Sequence, residues 1–159
     1  MIVRDLMIFS QNIQKNNFII NTILEVNFNF DVIFIQEPSW TTIRFIFNSE
    51  NCKGVPLVGI LNHPNWLTFA REFNLANDSS RVITYINIRL SFLCFSLCKD
   101  IINHKDILLI SFFNNNVCFW IMNIYSDSSH SALKYLKDSE ANIQNLLIMA
   151  GNFNIRDSI

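Results

Sequence analysis

Three sets of polar residues stand where short apolar runs give way to loops. Asn12 follows Leu6 to Ser10, Gln36 and Glu37 follow Val32 to Ile35, and Asn152 with Asn154 follows Leu146 to Ala150. Apolar runs of this length read as strands, and in sheets with helical crossovers ligands bind outside the C-terminal ends of the strands. A carboxylate and several amides gathered at such ends would form a polar ligand site. Taken singly, each residue has a plainer reading as turn chemistry, since Asn, Asp and Gly serve that purpose wherever strands become loops. Only the convergence of the three sets points to a site.

Other chemistries find less support. Cys94 and Cys98 are spaced too widely for a CxxC knuckle and lack a second Cys or His pair at matching spacing, so no zinc site is expected. Cys52, Cys94, Cys98 and Cys118 are expected to be buried free thiols. His63, His104 and His130 fall in predicted loops or at a helix start, where exposed positions are expected.

The elements that must position these residues begin with a strand at Leu6 to Ser10 and a polar segment from Gln11 to Asn17. Phe18, Ile19, Ile20, Ile23, Leu24 and Val26 then recur at helical spacing. Val32 to Ile35 is a continuous apolar run of the kind buried on both faces, ended by Pro38. Strand, helix and strand form a β-α-β unit, which predicts two parallel neighbours joined by a right-handed crossover. Between Trp40 and Asn65 the signal is weak, with one short piece, Leu57 to Leu61, that could be a strand among Gly and Pro residues.

Arg81 to Ile88, Phe92 to Leu97, Asp106 to Phe113 and Val117 to Tyr125 are β-branched and aromatic runs with short polar breaks, which predicts antiparallel strands. Asn114-Asn115-Asn116 reads as a hairpin turn between the last two. A helix is expected from about Ser131 to Asn142, capped by Ser129 or Ser131, with Ala132, Leu133 and Leu136 on its inner side and Lys134, Lys137 and Asp138 outside. A final buried strand is expected at Leu146 to Ala150.

Composition agrees with a well-packed chain. Of 159 residues 50% are hydrophobic, fifteen are Phe and 16% are charged, which excludes a disordered or polyelectrolyte chain. The net charge of −1 provides no basic footprint for a stand-alone nucleic-acid-binding module. A metal-using enzyme remains compatible, since it needs only a local phosphate site. The apolar stretches Val82 to Cys98 and Ile107 to Tyr125 approach the length of a membrane span, but Asn87 and Arg89 interrupt the first and the Asn triplet splits the second. Strand pairs account for both. With no basic start and apolar run after Met1, an intracellular location, nucleus or cytoplasm, is expected.

Four segments, in this order, carry a resemblance: Ser10 to Lys15, Asp31 to Pro38, Met122 to Asp127, and Ala150 to Ser158. Together they resemble motifs of the endonuclease/exonuclease/phosphatase (DNase I-like) family, and within it the endonuclease domains of non-LTR retrotransposons. The resemblance implies an α/β (α+β) sandwich with mixed β-sheet layers flanked by helices. It implies a phosphodiesterase that cleaves a nucleic-acid backbone, DNA more than RNA, with Mg²⁺, or Mn²⁺ in its place. The family's first-strand asparagine falls on Asn12 and its metal-binding glutamate on Glu37, oxygen donors of the kind that a hard cation favours. Tyr125 matches a tyrosine that hydrogen-bonds the phosphate, and Asn154 matches the asparagine of a G-D-F-N turn that orients phosphate or water.

The same resemblance marks departures. The aspartate of that turn is Asn152 here, an amide that cannot accept a proton as a general base. Gln14 stands where relatives often carry an acidic or amide group. The sequence stops soon after Ala150, before the further strands and the terminal histidine motif of complete relatives. The expected organisation is therefore a single, C-terminally truncated domain over residues 1–159, partial in the family's fold. Its function is expected to be phosphodiesterase by ancestry, impaired by Asn152 and the missing half. The competing expectations are an inactive retrotransposon-derived fragment and an interaction module that uses an exposed sheet edge.

Overall fold

The computed structural model describes residues 5–26, 29–39, 44–46, 57–59, 63–71, 80–139, 141 and 143–154. The elements run β1 (Ile8–Asn12), α1 (Asn17–Val26), β2 (Val32–Gln36), β3 (Arg44–Ile46), β4 (Leu57–Gly59), β5 (Trp66–Phe69) and β6 (Val82–Asn87). A 3-10 turn at Ile88–Leu90 leads to β7 (Cys94–Leu97), β8 (Ile107–Phe113), β9 (Cys118–Tyr125), α2 (Ser131–Asp138) and β10 (Leu146–Asn152).

Two four-stranded mixed sheets result, one in the order β1-β2-β6-β5 and the other β10-β9-β8-β7. β1 and β2 pair in parallel, as the β-α-β reading requires, and β10 pairs in parallel with β9. The remaining pairings in these two sheets are antiparallel, and β3 and β4 make a separate antiparallel pair.

Strand parity builds the layers. Along β2, Ile33 and Ile35 pack with Ile20, Ile23 and Leu24 of α1, while Val32 and Phe34 pack with Ile110, Phe112 and Ile121 of the other sheet. The continuous apolar run of β2 follows, because all five of its residues are buried. The outer face of the second sheet, with Leu109, Met122 and Ile124, is covered by Ala132, Leu133 and Leu136 of α2. The result is a helix, sheet, sheet, helix sandwich. Gly151 admits β10 to its place: a Cβ there would lie 1.8 Å from the Ile124 carbonyl oxygen, and its φ of 156° is one that side chains rarely adopt.

Several expectations are corrected. Cys94 and Cys118 are exposed and Cys98 is partly exposed, because strand parity turns Phe95 and Leu97 inward and Cys94 outward, while Cys118 begins β9 beside the hairpin. Cys52 lies outside the described residues. Among the described strands β10 is an edge strand, paired with β9 alone, and Leu147 is 62% and Met149 42% exposed rather than buried. α2 ends at Asp138, short of Asn142, which lies outside the described residues. Neither serine caps it: the N-cap position is His130, in a left-handed conformation without a side-chain bond, and Asp127 Oδ1 accepts the Ser131 amide instead.

The histidines are half-buried rather than exposed. His104 accepts the Asp106 amide and lies against Tyr135, and His63 accepts the Asn65 amide. β5 had no sequence signal strong enough to place it, although the Trp66 indole anchors it by donating to the Leu24 carbonyl. The hairpin turn falls where expected, with Asn114 Oδ1 accepting the amides of Asn116 and Val117. Among the described residues no helix is long and apolar enough to cross a membrane.

Candidate functional site

The polar ends of β1, β2 and β9 meet at one end of the sandwich. Beneath them, the apolar layer between the sheets gives way to a ladder of buried amides and hydroxyls. Gln36 Nε2 donates to Asn123 Oδ1 (2.8 Å) and to Ser10 Oγ (3.2 Å). Asn123 Nδ2 donates to the carbonyls of Ile83 and Ile35 and to Thr84 Oγ1. Leaving such groups unpaired in the interior would cost roughly 1–3 kcal/mol each, so the pairing fixes how β2, β6 and β9 stand relative to one another.

One residue past Gln36, Glu37 leaves the strand with φ 50°, a left-handed conformation that costs of order 1–3 kcal/mol outside glycine. Three backbone bonds hold the chain around it. The Glu37 amide donates to the Arg81 carbonyl (2.8 Å), its carbonyl accepts the Lys15 amide (2.7 Å), and the Gln36 carbonyl accepts the Ile13 amide (3.0 Å). The half-buried carboxylate is thereby directed between two other strand ends. Asn12 Nδ2 donates to Oε2 (2.8 Å) and the Tyr125 hydroxyl to Oε1 (3.0 Å). Asn12 cannot turn its amide over at no cost, because its Oδ1 already accepts the Gln14 amide (2.9 Å).

Asn12, Glu37 and Tyr125 are thus joined directly, from β1, the end of β2 and β9. The strand at β1 runs two residues further than expected, so Asn12 is its last residue rather than the first of a loop. Asn152 ends β10 opposite Tyr125 in the register, and its carbonyl accepts the Ser126 amide. Its Oδ1 accepts the Asn154 amide (3.0 Å), closing a tight turn with Asn154 at φ 44°. Asn154 Nδ2 in turn donates to the Ser126 carbonyl (2.8 Å). Gln14 contributes only its amide and is exposed.

Burial raises the pKa of Tyr125 above its ordinary value, and the hydrogen bond and charge of Glu37 raise it further, against smaller opposing effects of Asn154 and Arg81. The phenol is therefore a proton donor at neutral pH. Arg81 lies outside every sequence motif. Its guanidinium stands 4.5 Å from the centre of the Tyr125 ring and forks onto buried Asp106, with Nε to Oδ1 at 3.0 Å and Nη2 to Oδ2 at 2.5 Å. Nη2 also reaches Asp127 Oδ2 at 3.0 Å.

Hydrogen bonds from Ser129, the Arg81 ion pair and the Ser131 amide hold the Asp127 carboxyl well below its usual range, against partial desolvation. A depressed folded pKa contributes stability that is present above the unfolded value, about 3.9, and is lost as pH falls below it. Asp127→Asn keeps the Oδ1 acceptor but loses that proton linkage. The variant is expected to show a shallower loss of stability between about pH 4 and pH 2 than the parent, measured by urea unfolding at stepped pH; identical slopes would remove Asp127 from the acid response.

As a metal site the arrangement is sparse. Among the described residues there is no group of three His, Cys, Asp or Glu side chains placed to hold an ion. Glu37 has the Asn12 amide nitrogen and the Tyr125 hydroxyl bonded to it, and neither a thiolate nor an imidazole. A single carboxylate suits Mg²⁺, which keeps most of its waters and takes phosphate oxygens as further ligands.

Two mixed sheets packed face to face between helices, with polar groups gathered at one end, define an α/β sandwich of the DNase I-like fold. Solved structures bear this out. The endonuclease domain of TRAS1, a telomere-specific non-LTR retrotransposon, superposes with a TM-score of 0.62 at 12% identity, over 96% of this chain and 62% of that one. A humanized D. rerio TDP2 with 14 mutations superposes with a TM-score of 0.50 at 14% identity, over 96% of this chain and 63% of that one. The chain therefore spans a little under two thirds of the structures it resembles. No family model and no curated protein matches the sequence.

Proposed function

We propose that this chain carries a phosphodiesterase-type site for a nucleic-acid backbone, DNA ahead of RNA, in which Glu37 holds Mg²⁺ and turnover is lost because Asn152 replaces a general base. The observation that supports this most is the Glu37 carboxylate at a strand end, bracketed by Asn12 and Tyr125 from two other strands. The likeness to an endonuclease domain supports the substrate class.

In this reading each side chain has one task. Asn12 orients Glu37 through its amide. Tyr125, kept protonated by burial and by Glu37, would turn its single O–H from Glu37 to a phosphate oxygen once metal and substrate bind. Asn154, fixed on the Ser126 carbonyl, positions phosphate or water. Bound Mg²⁺, or Mn²⁺ in its place, would polarise the scissile phosphate as a Lewis acid. With a net charge of −1, the metal and these hydrogen-bond donors rather than a basic surface would engage the backbone.

The test is calorimetric titration with MgCl₂. The parent protein is expected to bind one ion with a Kd of about 1 mM, in keeping with a site that supplies one carboxylate. Glu37→Ala should abolish the binding heat while Tyr125→Phe retains it. Equal binding by parent and Glu37→Ala would refute the metal role of Glu37.

A further inference from the structure

Arg81 touches both Glu37 and Tyr125 without belonging to any motif that points to it. Its carbonyl accepts the Glu37 amide at 2.8 Å, the bond that fixes the left-handed residue carrying the carboxylate. Its guanidinium lies 4.5 Å from the centre of the Tyr125 ring, whose hydroxyl donates to that carboxylate. The guanidinium is itself fixed from two elements. Asp106, fully buried just before β8, takes both Nε and Nη2, and its Oδ1 also accepts the Arg81 amide at 3.1 Å. Asp127, beyond the end of β9, takes Nη2. The loop closes on itself, because the Asp106 carbonyl accepts the Tyr125 amide at 2.9 Å.

We infer that Arg81 is the positioning residue of this site: clamped by Asp106 and Asp127, it sets the Tyr125 ring against the Glu37 carboxylate through its guanidinium, and Glu37 itself through its carbonyl.

Arg81 does this as a planar, delocalised cation with a rigid fork. It can satisfy two carboxylates in its plane while presenting a face to an aromatic ring, whereas the compact ammonium of lysine cannot do both. The charged and titratable groups that face it are Asp106, Asp127, Tyr125 and, at longer range, His104. Nε and Nη2 are committed to Asp106 and Asp127, and the role of the guanidinium is to hold Tyr125. The inference deepens the reading of Glu37 and Tyr125 as the site, and it can be tested without metal or turnover.

The chain has three tyrosines, Tyr85 in the core, Tyr125 in the site and Tyr135 on α2. Protein labelled with ¹³Cζ-tyrosine should therefore give three resonances, with Tyr125→Phe assigning the one of interest. In metal-free Arg81→Gln, the Tyr125 resonance is expected to move by several linewidths while those of Tyr85 and Tyr135 stay in place. A role confined to fold stability would move all three or none. Arg81→Lys, which keeps the charge without the fork, should also displace Tyr125 alone.

If Arg81→Gln collapses all three resonances to unfolded positions, Asp127→Asn decides the matter. It keeps Arg81 and the Oδ1 that accepts the turn amides, and it removes only one arm of the clamp. A smaller shift of Tyr125 in the direction seen for Arg81→Lys supports the inference, and an unmoved resonance overturns it. Titrating MgCl₂ into the parent sample then tests the functional reading separately. A Tyr125 resonance that responds to Arg81 substitution but not to Mg²⁺ would leave the positioning role standing and remove the metal.

Discussion

Supercoiled plasmid incubated with the purified protein and Mg²⁺ is expected to stay intact, at the level of a protein-free control. The cause lies in the head group of Asn152. Its oxygen is committed to the Asn154 amide, so the other half of the group is an NH₂, a donor where a carboxylate would present a second acceptor oxygen. An amide cannot take a proton from an attacking water at neutral pH, and that loss is typically worth ~10²–10⁴-fold in rate. Geometry alone would not restore it, because the turn forms with either residue. Asn152→Asp should leave the fold intact and tighten Mg²⁺ binding through the added charge, read by calorimetry. Nicking by the parent that EDTA stops and Glu37→Ala removes would sink the proposal of an inactive site. Nicking that appears only in Asn152→Asp would assign the lost activity to this one amide.

Gly151→Ala is expected to be the most damaging single substitution in the second sheet. The added Cβ would sit 1.8 Å from the Ile124 carbonyl oxygen and 2.8 Å from its carbon, both backbone atoms of the neighbouring strand that no rotamer change can move away. The φ of 156° adds strain for any side chain. β10 must separate from β9 or distort, and either result unseats Asn152 and Asn154, which follow directly. A loss of about 3–5 kcal/mol is expected, in the upper range for point substitutions, equivalent to a fall in Tm of roughly 6–20 °C for a chain of this size. Thermal unfolding by circular dichroism measures it. A Tm within 2 °C of the parent, taken as about the smallest shift expected per kcal/mol, would show that β10 accommodates a side chain.

Much of this arrangement was legible in the residues. Val32 to Ile35, apolar at every position, could only be a strand covered on both faces, and it is. The helical spacing of Ile20, Ile23 and Leu24 placed α1 over that strand and made β1 and β2 parallel. Local chemistry also fixed the Asn114 turn and the amphipathic face of α2. The four motifs placed Asn12, Glu37, Tyr125 and Asn154 at strand ends, and three of them are joined by hydrogen bonds.

What failed to show was whatever depends on a partner distant in the chain. Hydropathy suggested buried thiols at Cys94 and Cys118, yet burial follows strand parity and sheet position. β10 has the composition of an inner strand but lies at an edge, because no local pattern counts the neighbours of a strand. Asp127 caps α2 from outside the expected serines because the turn around His130 brings its carboxylate over the helix start.

Arg81 is the clearest case. Read along the chain it is one basic residue before an apolar strand. Its meaning comes from Asp106 and Asp127, 25 and 46 positions after it, and from Glu37 and Tyr125, 44 positions before and after it, which only sheet pairing brings together. The sequence by itself determined which residues could do chemistry and on which strand ends they stand, because side-chain type and hydrophobic period are local properties. The tertiary structure alone decided that Glu37 is gripped from both sides and that an arginine outside the motifs holds the grip, because hydrogen bonds and ion pairs are set by distance in space.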